Sequence, residues 1–328
     1  MLRNLLIILV ATAFFVSGCA APKLKLFPDA TDPFQEFTLH GTQKGKVLVI
    51  PMRGIISDAP RTCFPGARPS MVQEIVSQLR LAEKDEEVGA ILLKIDSPGG
   101  SITATDVLYQ EIMAFKKRTG VKVVVAMMDV AASGSYYVSL PADFILAHPT
   151  TVTGSIGAMF MWPQVTGVMG KIGLDIKMTK SGKKKDMGSP FRQTTQEEEE
   201  ILQGLTDELG RRFVSLVAKH RKLDQKALVD ISSGRVYIAN EALQLGLVDK
   251  IGYLSDAVLQ AKKLSGLPED TKVVVYRRTE YPDDNIYNTA TTRYSGSRLA
   301  LIELGLPDSI TSVRTGFYYL WLPGSGRD

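Results

Sequence analysis

The stretch VGAILLKIDSPGG, residues 88–100, joins a run of β-prone apolar residues to a turn rich in glycine and proline. Residues 88–95 predict a buried strand, which residues 96–100 end. Apolar residues then recur at helical spacing over 102–117, and Gly120 is a suitable helix stop. A strand followed directly by a helix is the building unit of an α/β fold.

The same alternation of strand and helix continues along the chain. Residues 47–50 form an apolar run typical of a strand, and a helical pattern begins at about Ser70. Two more strand patterns lie at 122–128 and 144–147, and a short helix begins near Ser133 between them. The sequence therefore predicts an α/β fold with mainly parallel strands covered by helices.

A long amphipathic helix is predicted after Thr194 and Thr195, since either threonine has a glutamate three residues later. The acidic start of this helix, residues 197–200, suits the positive helix N-terminus, which explains it better than metal binding. The expected apolar stripe comprises Leu202, Leu205, Leu209, Phe213, Leu216 and Val217.

The N-terminus has the pattern of an export signal. Arg3 precedes an apolar run at 5–16 that is too short to span a bilayer comfortably. Small residues then lead to Cys19, and this arrangement resembles a bacterial lipobox. We expect removal of residues 1–18 and acylation of Cys19; a plain signal peptide or an uncleaved signal anchor is the alternative.

Composition limits the remaining possibilities. Once Cys19 carries lipid, Cys63 is the only other cysteine, so no intramolecular disulfide can form. The 328 residues, of which 45% are hydrophobic, suffice for one large domain. The net charge of +4 is spread along the chain, and its one dense cluster, residues 183–185, is short. These features argue against a nucleic-acid partner.

The two ends of the exported chain look different from its middle. Residues 19–45 lack an apolar period and predict a tether, with order expected from Lys46. After Val274 the composition becomes polar up to about residue 298, which predicts an extended or flexible connection. The aromatic segment 317–323 is too short to span a membrane. We expect it to dock on the domain, on a partner subunit or in a peptide-binding groove.

Three loops carry the residues needed for acyl transfer. Ser133 lies among small residues, residues 96–100 can supply backbone N–H donors, and residues 183–185 supply amines. The three histidines of the chain are remote from these loops in sequence, so lysine is the leading candidate for the base. Taken singly, each motif also fits an ordinary turn or a tightly packed helix start.

The order of five motifs resembles that of bacterial signal peptide peptidase A, a serine protease family in the ClpP/crotonase superfamily. The motifs lie at residues 96–100, 131–134, 153–157, 181–186 and 234–237. The resemblance covers about residues 46–265 and leaves 266–328 as a C-terminal extension. It implies a ClpP/crotonase-like spiral of repeated β-β-α units, with mainly parallel sheets flanked by helices.

The resemblance also implies roles for individual residues. Ser133 matches the nucleophile, and Lys185, which directly precedes Asp186, matches the general base. Backbone groups of Gly99 or Gly100 and of Gly134 match the oxyanion donors. The serine that orients the lysine amine corresponds to Ser155.

One position departs from the family pattern. Ser135 stands where a glycine is usual, which could change local backbone freedom. A lysine must also lose its proton to act as a base, and burial against apolar walls favours that. The resemblance implies neither a metal ion nor a cofactor.

The implied protein is an envelope serine endopeptidase that faces the periplasm or the exterior. It would hydrolyse residual signal peptides or unfolded exported polypeptides, and it would assemble as a homo-oligomer in which serine and lysine can come from adjacent subunits. A catalytically inactive binding or scaffolding lipoprotein is one alternative. An acyl-CoA enzyme of the crotonase branch is another, although a serine and lysine pair would have no purpose there.

The resemblance to a lipobox predicts that Cys19 is the N-terminal residue of the mature protein. Mass spectrometry of membrane-extracted protein should show an acylated N-terminal cysteine at position 19, and Cys19→Ser should release or mislocalise the enzyme. Detection of Met1 on the mature protein would contradict this expectation.

Overall fold

The fold was obtained as a computed structural model, which describes residues 32–63, 66–291 and 315–323. The expected signal peptide and Cys19 lie outside the described residues. Within these ranges, no helix is both long and apolar enough to cross a membrane.

Strands and helices alternate through most of the described chain. The strands are β1 (Gln35–His40), β2 (Gln43–Arg53), β3 (Arg61–Cys63), β4 (Gly66–Arg68), β5 (Val88–Ser97), β6 (Gly99–Ser101), β7 (Lys122–Ala132), β8 (Phe144–Ala147), β9 (Val152–Gly154), β10 (Met159–Met161), β11 (Val236–Ile238), β12 (Lys250–Ile251), β13 (Thr271–Arg277) and β14 (Gly316–Leu320). The helices are α1 (Met71–Ala82), α2 (Ile102–Thr119), α3 (Gly134–Ser139), α4 (Thr166–Ile172), α5 (Gln196–His220), α6 (Gln225–Ile231), α7 (Ala239–Gln244) and α8 (Leu254–Leu264).

A mainly parallel sheet forms the centre of the fold. Its strand order is β1-β13-β2-β5-β7-β8-β12, and every pair in this order is parallel except β1 with β13. Beyond its pairing with β8, β7 continues into a parallel pair with β9, which pairs with β11. The expected α/β class with helices on both sides of a mostly parallel sheet is confirmed.

Helices cover the sheet through two hydrophobic cores. In β2, Leu48 and Ile50 belong to one core, whereas Val47 and Val49 belong to the other, as the period of two in a strand requires. The larger core receives α1, α2 and α5, and the smaller core receives α8. Because both faces of the sheet are buried, the sequences of these strands are continuous apolar runs.

The long helix α5 begins where the sequence placed it. The Thr195 hydroxyl accepts a hydrogen bond from Glu198 N–H, and the Glu198 carboxylate accepts one from Thr195 N–H, so Thr195 rather than Thr194 is the cap. Phe213 and Val217 of the expected stripe are fully buried. Leu205 is exposed, contrary to expectation, since this long helix packs on β10, α3 and α6 through only part of its length.

The central sheet extends beyond the predicted domain, residues 46–265, at both ends. Strand β1 precedes Lys46 and pairs antiparallel with β13 at the edge of the sheet. Strand β13 lies beyond residue 265 and pairs in parallel with β2, so it completes the central sheet. The local pattern did not reveal this because the paired segments are far apart in sequence.

The polar segment after β13 packs on the sheet over the part that is described. Arg277, which is 2% exposed, forms an ion pair with Asp284. The ammonium of Lys94, on β5, donates to the carbonyl oxygens of Ile286 and Tyr287, both at 2.8 Å. Burial, together with the nearby charge of Arg277, lowers the pKa of Lys94 to about 8.

This buried lysine makes stability depend on pH. Between about pH 8 and 10.5, the unfolded chain retains a proton on Lys94 that the folded chain has released, so the free energy of unfolding should rise with pH. Urea denaturation across this window should show a weaker rise for Lys94→Met. The exposed-site control Lys84→Met should behave as wild type. Equal pH dependence in Lys94→Met and wild type would refute the assignment.

Candidate active site

Ser133 occupies a sharp turn between β7 and α3. Its backbone has φ 55° and ψ −120°, a conformation that L-residues rarely adopt, and the residue is 1% exposed. Ser133 N–H donates to the carbonyl oxygen of Gly154 at 2.7 Å, and its own carbonyl accepts from Tyr137 N–H at 3.0 Å. The serine is therefore held rigidly at a strand-to-helix turn, as in the nucleophile elbow of α/β-hydrolases.

The glycines of β6 allow a very close backbone approach. A Cβ on Gly100 would overlap the backbone of Ile56, and one on Gly99, which has φ 98°, would lie 2.7 Å from the amide nitrogen of Gly134. The Ile56 backbone cannot retreat, because its N–H donates to Gly99 O at 2.8 Å and its carbonyl accepts from Ser101 N–H at 3.0 Å. Both positions therefore require glycine.

Two backbone amides converge beside Ser133. The amide nitrogen of Gly100 lies 3.2 Å from the place where a Cβ on Gly134 would stand, and the amide of Gly134 adjoins Gly99. The amide of Gly99 is different, because it donates to the Ser97 hydroxyl at 3.2 Å. Paired N–H groups of this kind can stabilise an oxyanion.

The contacts of Ser135 explain why a serine stands where the family usually has glycine. Its hydroxyl is fully buried and donates to the carbonyl oxygens of Ser97 at 2.6 Å and Ala132 at 2.8 Å. These bonds tie the first turn of α3 to the end of β5. The serine therefore braces the turn that carries Ser133.

Two further sequence motifs, residues 153–157 and 234–237, pair with each other next to the Ser133 turn. Val236 and Tyr237 of β11 pair with Gly154 and Thr153 of β9. The next residue, Ser155, has φ 50°, is partly buried, and donates through its N–H to Arg235 O at 2.8 Å. Since Gly154 also holds Ser133, these motifs support the serine turn.

Lys185 lies elsewhere on the chain surface. It belongs to a run, residues 170–185, in which every residue is exposed. Its backbone N–H donates to Gly182 O at 3.1 Å. Within the described part of this single chain, Ser133 and Lys185 do not hydrogen-bond to each other.

Asp186 anchors the lysine segment to α5. Arg192 bridges the carboxylates of Asp186, at 2.7 Å, and Glu198, at 2.5 Å, while Lys180 donates to Asp186 at 2.6 Å. Hydrogen bonds from Arg192 and Lys180 hold the pKa of Asp186 far below its usual value, and Arg192 lowers the pKa of Glu198 to about 2. Asp186 therefore has its own cationic partners.

The three histidines occupy separate positions in the fold. His40 is on β1, His148 follows β8 and contacts the Thr150 hydroxyl, and His220 ends α5 at 2.8 Å from the Tyr109 hydroxyl. Among the described residues, no histidine hydrogen-bonds to Ser133. Within the described part of the chain, Ser133 therefore has no histidine as a hydrogen-bonded base.

Sequence reasoning missed two residues beside the serine turn. Thr105 of α2 is fully buried next to Gly134, and its hydroxyl has no hydrogen-bond partner within the described ranges. Tyr319 of β14 lies against Gly99 and Gly134. The sequence showed that this segment is aromatic. It did not show whether the segment docks on the domain, on a partner subunit or in a peptide-binding groove.

Family comparisons agree with this geometry. The sequence profile of Peptidase family S49 matches residues 115–268, and that of Clp protease matches residues 64–147. The protein named "Putative signal peptide peptidase SppA" of Enterococcus faecium is 33% identical over 253 residues, which cover 77% of this chain and 73% of that protein.

Other matches differ in length or are more distant. "Protease 4" of Haemophilus influenzae is 31% identical over 279 residues, which cover 84% of this chain but 44% of that longer protein. A solved mutant of the 1510-N membrane-bound stomatin-specific protease has 16% identity and a TM-score of 0.45, and the match covers 67% of this chain and 86% of that chain.

Fold and sequence together define a serine peptidase with a Clp-protease-like α/β fold. More narrowly, the chain belongs to the signal peptide peptidase A family, peptidase family S49.

The tight glycine contact gives a direct test of the site. Gly100→Ala should abolish peptide hydrolysis and lower the free energy of unfolding, because its Cβ would overlap the fixed Ile56 backbone. Gly204→Ala is the matched control: it lies in α5 with nothing within 4 Å of an added Cβ, and it should gain about 0.5–1 kcal/mol of stability. Wild-type turnover in Gly100→Ala would contradict the description of the site.

Proposed function

We propose that this chain is a membrane-anchored serine endopeptidase in which Ser133 is the nucleophile and Lys185 the general base. The observation that carries this proposal is the placement of Ser133 at a strained turn beside two convergent backbone amides. Strain of this kind persists only where the surrounding structure enforces it, and it is frequent at catalytic residues.

The first chemical step follows from this arrangement. Ser133 Oγ attacks the substrate carbonyl, and the developing oxyanion receives hydrogen bonds from backbone amides. The geometry favours Gly100 and Gly134 as the donors, since the amide of Gly99 already donates to Ser97. Lys185 accepts the Ser133 proton and passes it to the amine leaving group as the peptide C–N bond breaks; water then hydrolyses the acyl-enzyme, and the proton returns to Ser133.

The base reaches the serine from a neighbouring subunit. The exposed run that contains Lys185 displays apolar side chains that include Ile172, 68% exposed, Leu174, 52% exposed, and Met178, 51% exposed. Apolar groups in this number favour a protein interface. Assembly would also bury Lys185 and so favour the neutral amine that a base requires.

Ser155 is suited to orient that amine. It stands next to Gly154, whose carbonyl holds Ser133. Its hydroxyl makes no hydrogen bond to any other described residue, so an incoming lysine can contact it. This placement supports the role that the family resemblance implied.

The substrates are extended peptides, namely residual signal peptides or unfolded exported polypeptides. Lipid on Cys19 would hold the enzyme at a membrane of the cell envelope, where such segments accumulate. A catalytically inactive scaffold is less well supported, because a binding protein has no need for a strained serine facing two amides. Turnover in the purified protein discriminates between the two.

Mixing of two inactive variants tests both the dyad and its origin. Ser133→Ala and Lys185→Ala should each abolish hydrolysis, whereas Lys183→Ala should retain most of it. When the two dead variants are unfolded and refolded together, about a quarter of neighbouring pairs should join an intact serine to an intact lysine. Peptide hydrolysis should then return to roughly that fraction of the wild-type rate.

The possible failures are distinguishable. No recovery on mixing, with both single variants dead and oligomeric by light scattering, would place serine and lysine in one chain. Full activity in Ser133→Ala would show that Ser133 is not the nucleophile. An inactive Lys183→Ala together with an active Lys185→Ala would show that Lys183, and not Lys185, is needed for hydrolysis.

A further inference from the structure

Asp186 and Arg192 form the centre of a charge cluster next to Lys185. Arg192 Nε donates to Asp186 Oδ2 at 2.8 Å and its Nη2 donates to Oδ1 at 2.7 Å, so the contact is bidentate. Nη1 of the same guanidinium donates to Glu198 Oε2 at 2.8 Å. The Asp186 and Glu198 side chains are only 7% and 4% exposed. The arginine therefore binds two carboxylates that are shielded from solvent.

A second cation makes the cluster electrically neutral. The ammonium of Lys180 donates to Asp186 Oδ1 at 2.6 Å. Two cations, Lys180 and Arg192, thus face two anions, Asp186 and Glu198. Hydrogen bonds from Arg192 and then from Lys180 hold the pKa of Asp186 far below its usual value. Asp186 therefore keeps its negative charge at any pH at which a lysine can serve as a base.

The other lysines of this segment hold the turn that carries Lys185. The Lys180 ammonium also donates to the carbonyl oxygen of Lys183 at 3.2 Å. Lys184 forms an ion pair with Glu197, which lies in the first turn of α5. Contacts to the cluster and to α5 thus surround Lys185 on both sides in the sequence and fix the backbone from which its side chain extends.

An adjacent carboxylate is a disadvantage for a lysine base. Free lysine has a pKa of about 10.4, so Lys185 must release its proton far more easily to work near neutral pH. A nearby negative charge has the opposite effect, because it favours the ammonium and raises the pKa of a lysine. The attraction grows when assembly excludes water from the site. The charge of Asp186 must therefore be cancelled if Lys185 is to act as a base.

We propose that Arg192 is a positioning residue for the base: it binds the Asp186 carboxylate against α5 and cancels its charge, so that Lys185 can act as the neutral amine. The inference rests on the proposed function, since it concerns the lysine of the same site. Arginine suits this role because its guanidinium is always charged and its planar fork matches a carboxylate. Lys180 supplies charge as well, but it makes a single contact with Asp186.

The pH profile of kcat/KM for peptide hydrolysis by the full-length protein tests the charge effect. Its acidic limb reports the pKa of the base in the free enzyme. Arg192→Met leaves the cluster with one excess negative charge, so the limb should shift to higher pH by about half a unit or more. Asp186→Asn leaves one excess positive charge, and the limb should shift to lower pH. The double variant is neutral again and should return toward the wild-type profile.

Opposite shifts distinguish this role from a merely structural one. Loss of an anchor would lower kcat in both single variants without moving the limb in opposite directions. Arg192→Lys keeps the positive charge and should have a limb closer to that of wild type. Arg118→Met is the matched control, because it removes an arginine from an exposed ion pair with Glu83 and should match wild type. Coincident limbs in wild type, Arg192→Met and Asp186→Asn would overturn the proposal.

Chemical labelling without catalysis separates this inference from the proposed function. Full-length Ser133→Ala, with and without Arg192→Met, is treated with trace acetic anhydride across neutral and alkaline pH, and acetylation of Lys185 is read by tandem mass spectrometry. The midpoint of the labelling curve should rise when Arg192 is replaced. That rise supports the inference even if the wild type cleaves nothing, in which case the proposed function fails alone. Wild-type hydrolysis that requires Lys185, together with an unchanged midpoint, would overturn the inference alone.

Discussion

The contact of the β6 backbone with its neighbours is the constraint on which the site depends. Gly99 and Gly100 lie so close to Ile56 and Gly134 that no side chain fits between them. This closeness brings the amides of Gly100 and Gly134 to one place and aligns them with the end of β7. A preorganised pair of donors needs no rearrangement when charge develops, and this is the main advantage of such a site.

The two halves of the proposed dyad have opposite surroundings. Ser133 is buried and held through Gly154, whereas Lys185 stands in an exposed segment anchored by Asp186 and Arg192. A rigid serine suits a nucleophile that must meet fixed oxyanion donors. In the proposed assembly, an exposed lysine becomes active only when a neighbouring subunit buries it, so hydrolysis is coupled to oligomer formation.

Strand β14 covers the outer edge of β6. An uncovered strand edge invites pairing with other chains. The antiparallel pairing with β14 covers this edge, and Tyr319 adds stacking on Tyr137 and Phe213.

Periodicity and turn residues were enough to predict the α/β class, the strand at 88–95, the helix that Gly120 ends, and a short helix that begins near Ser133. Those features depend on neighbours a few residues apart, so the sequence by itself determined them. Only the tertiary structure decided that β1 and β13 complete the sheet, that the Gly99 amide donates to Ser97, and that Tyr319 pairs with Gly100. These depend on hydrogen bonds between segments far apart in the chain, which leave no local pattern because any extended segment offers the same backbone groups.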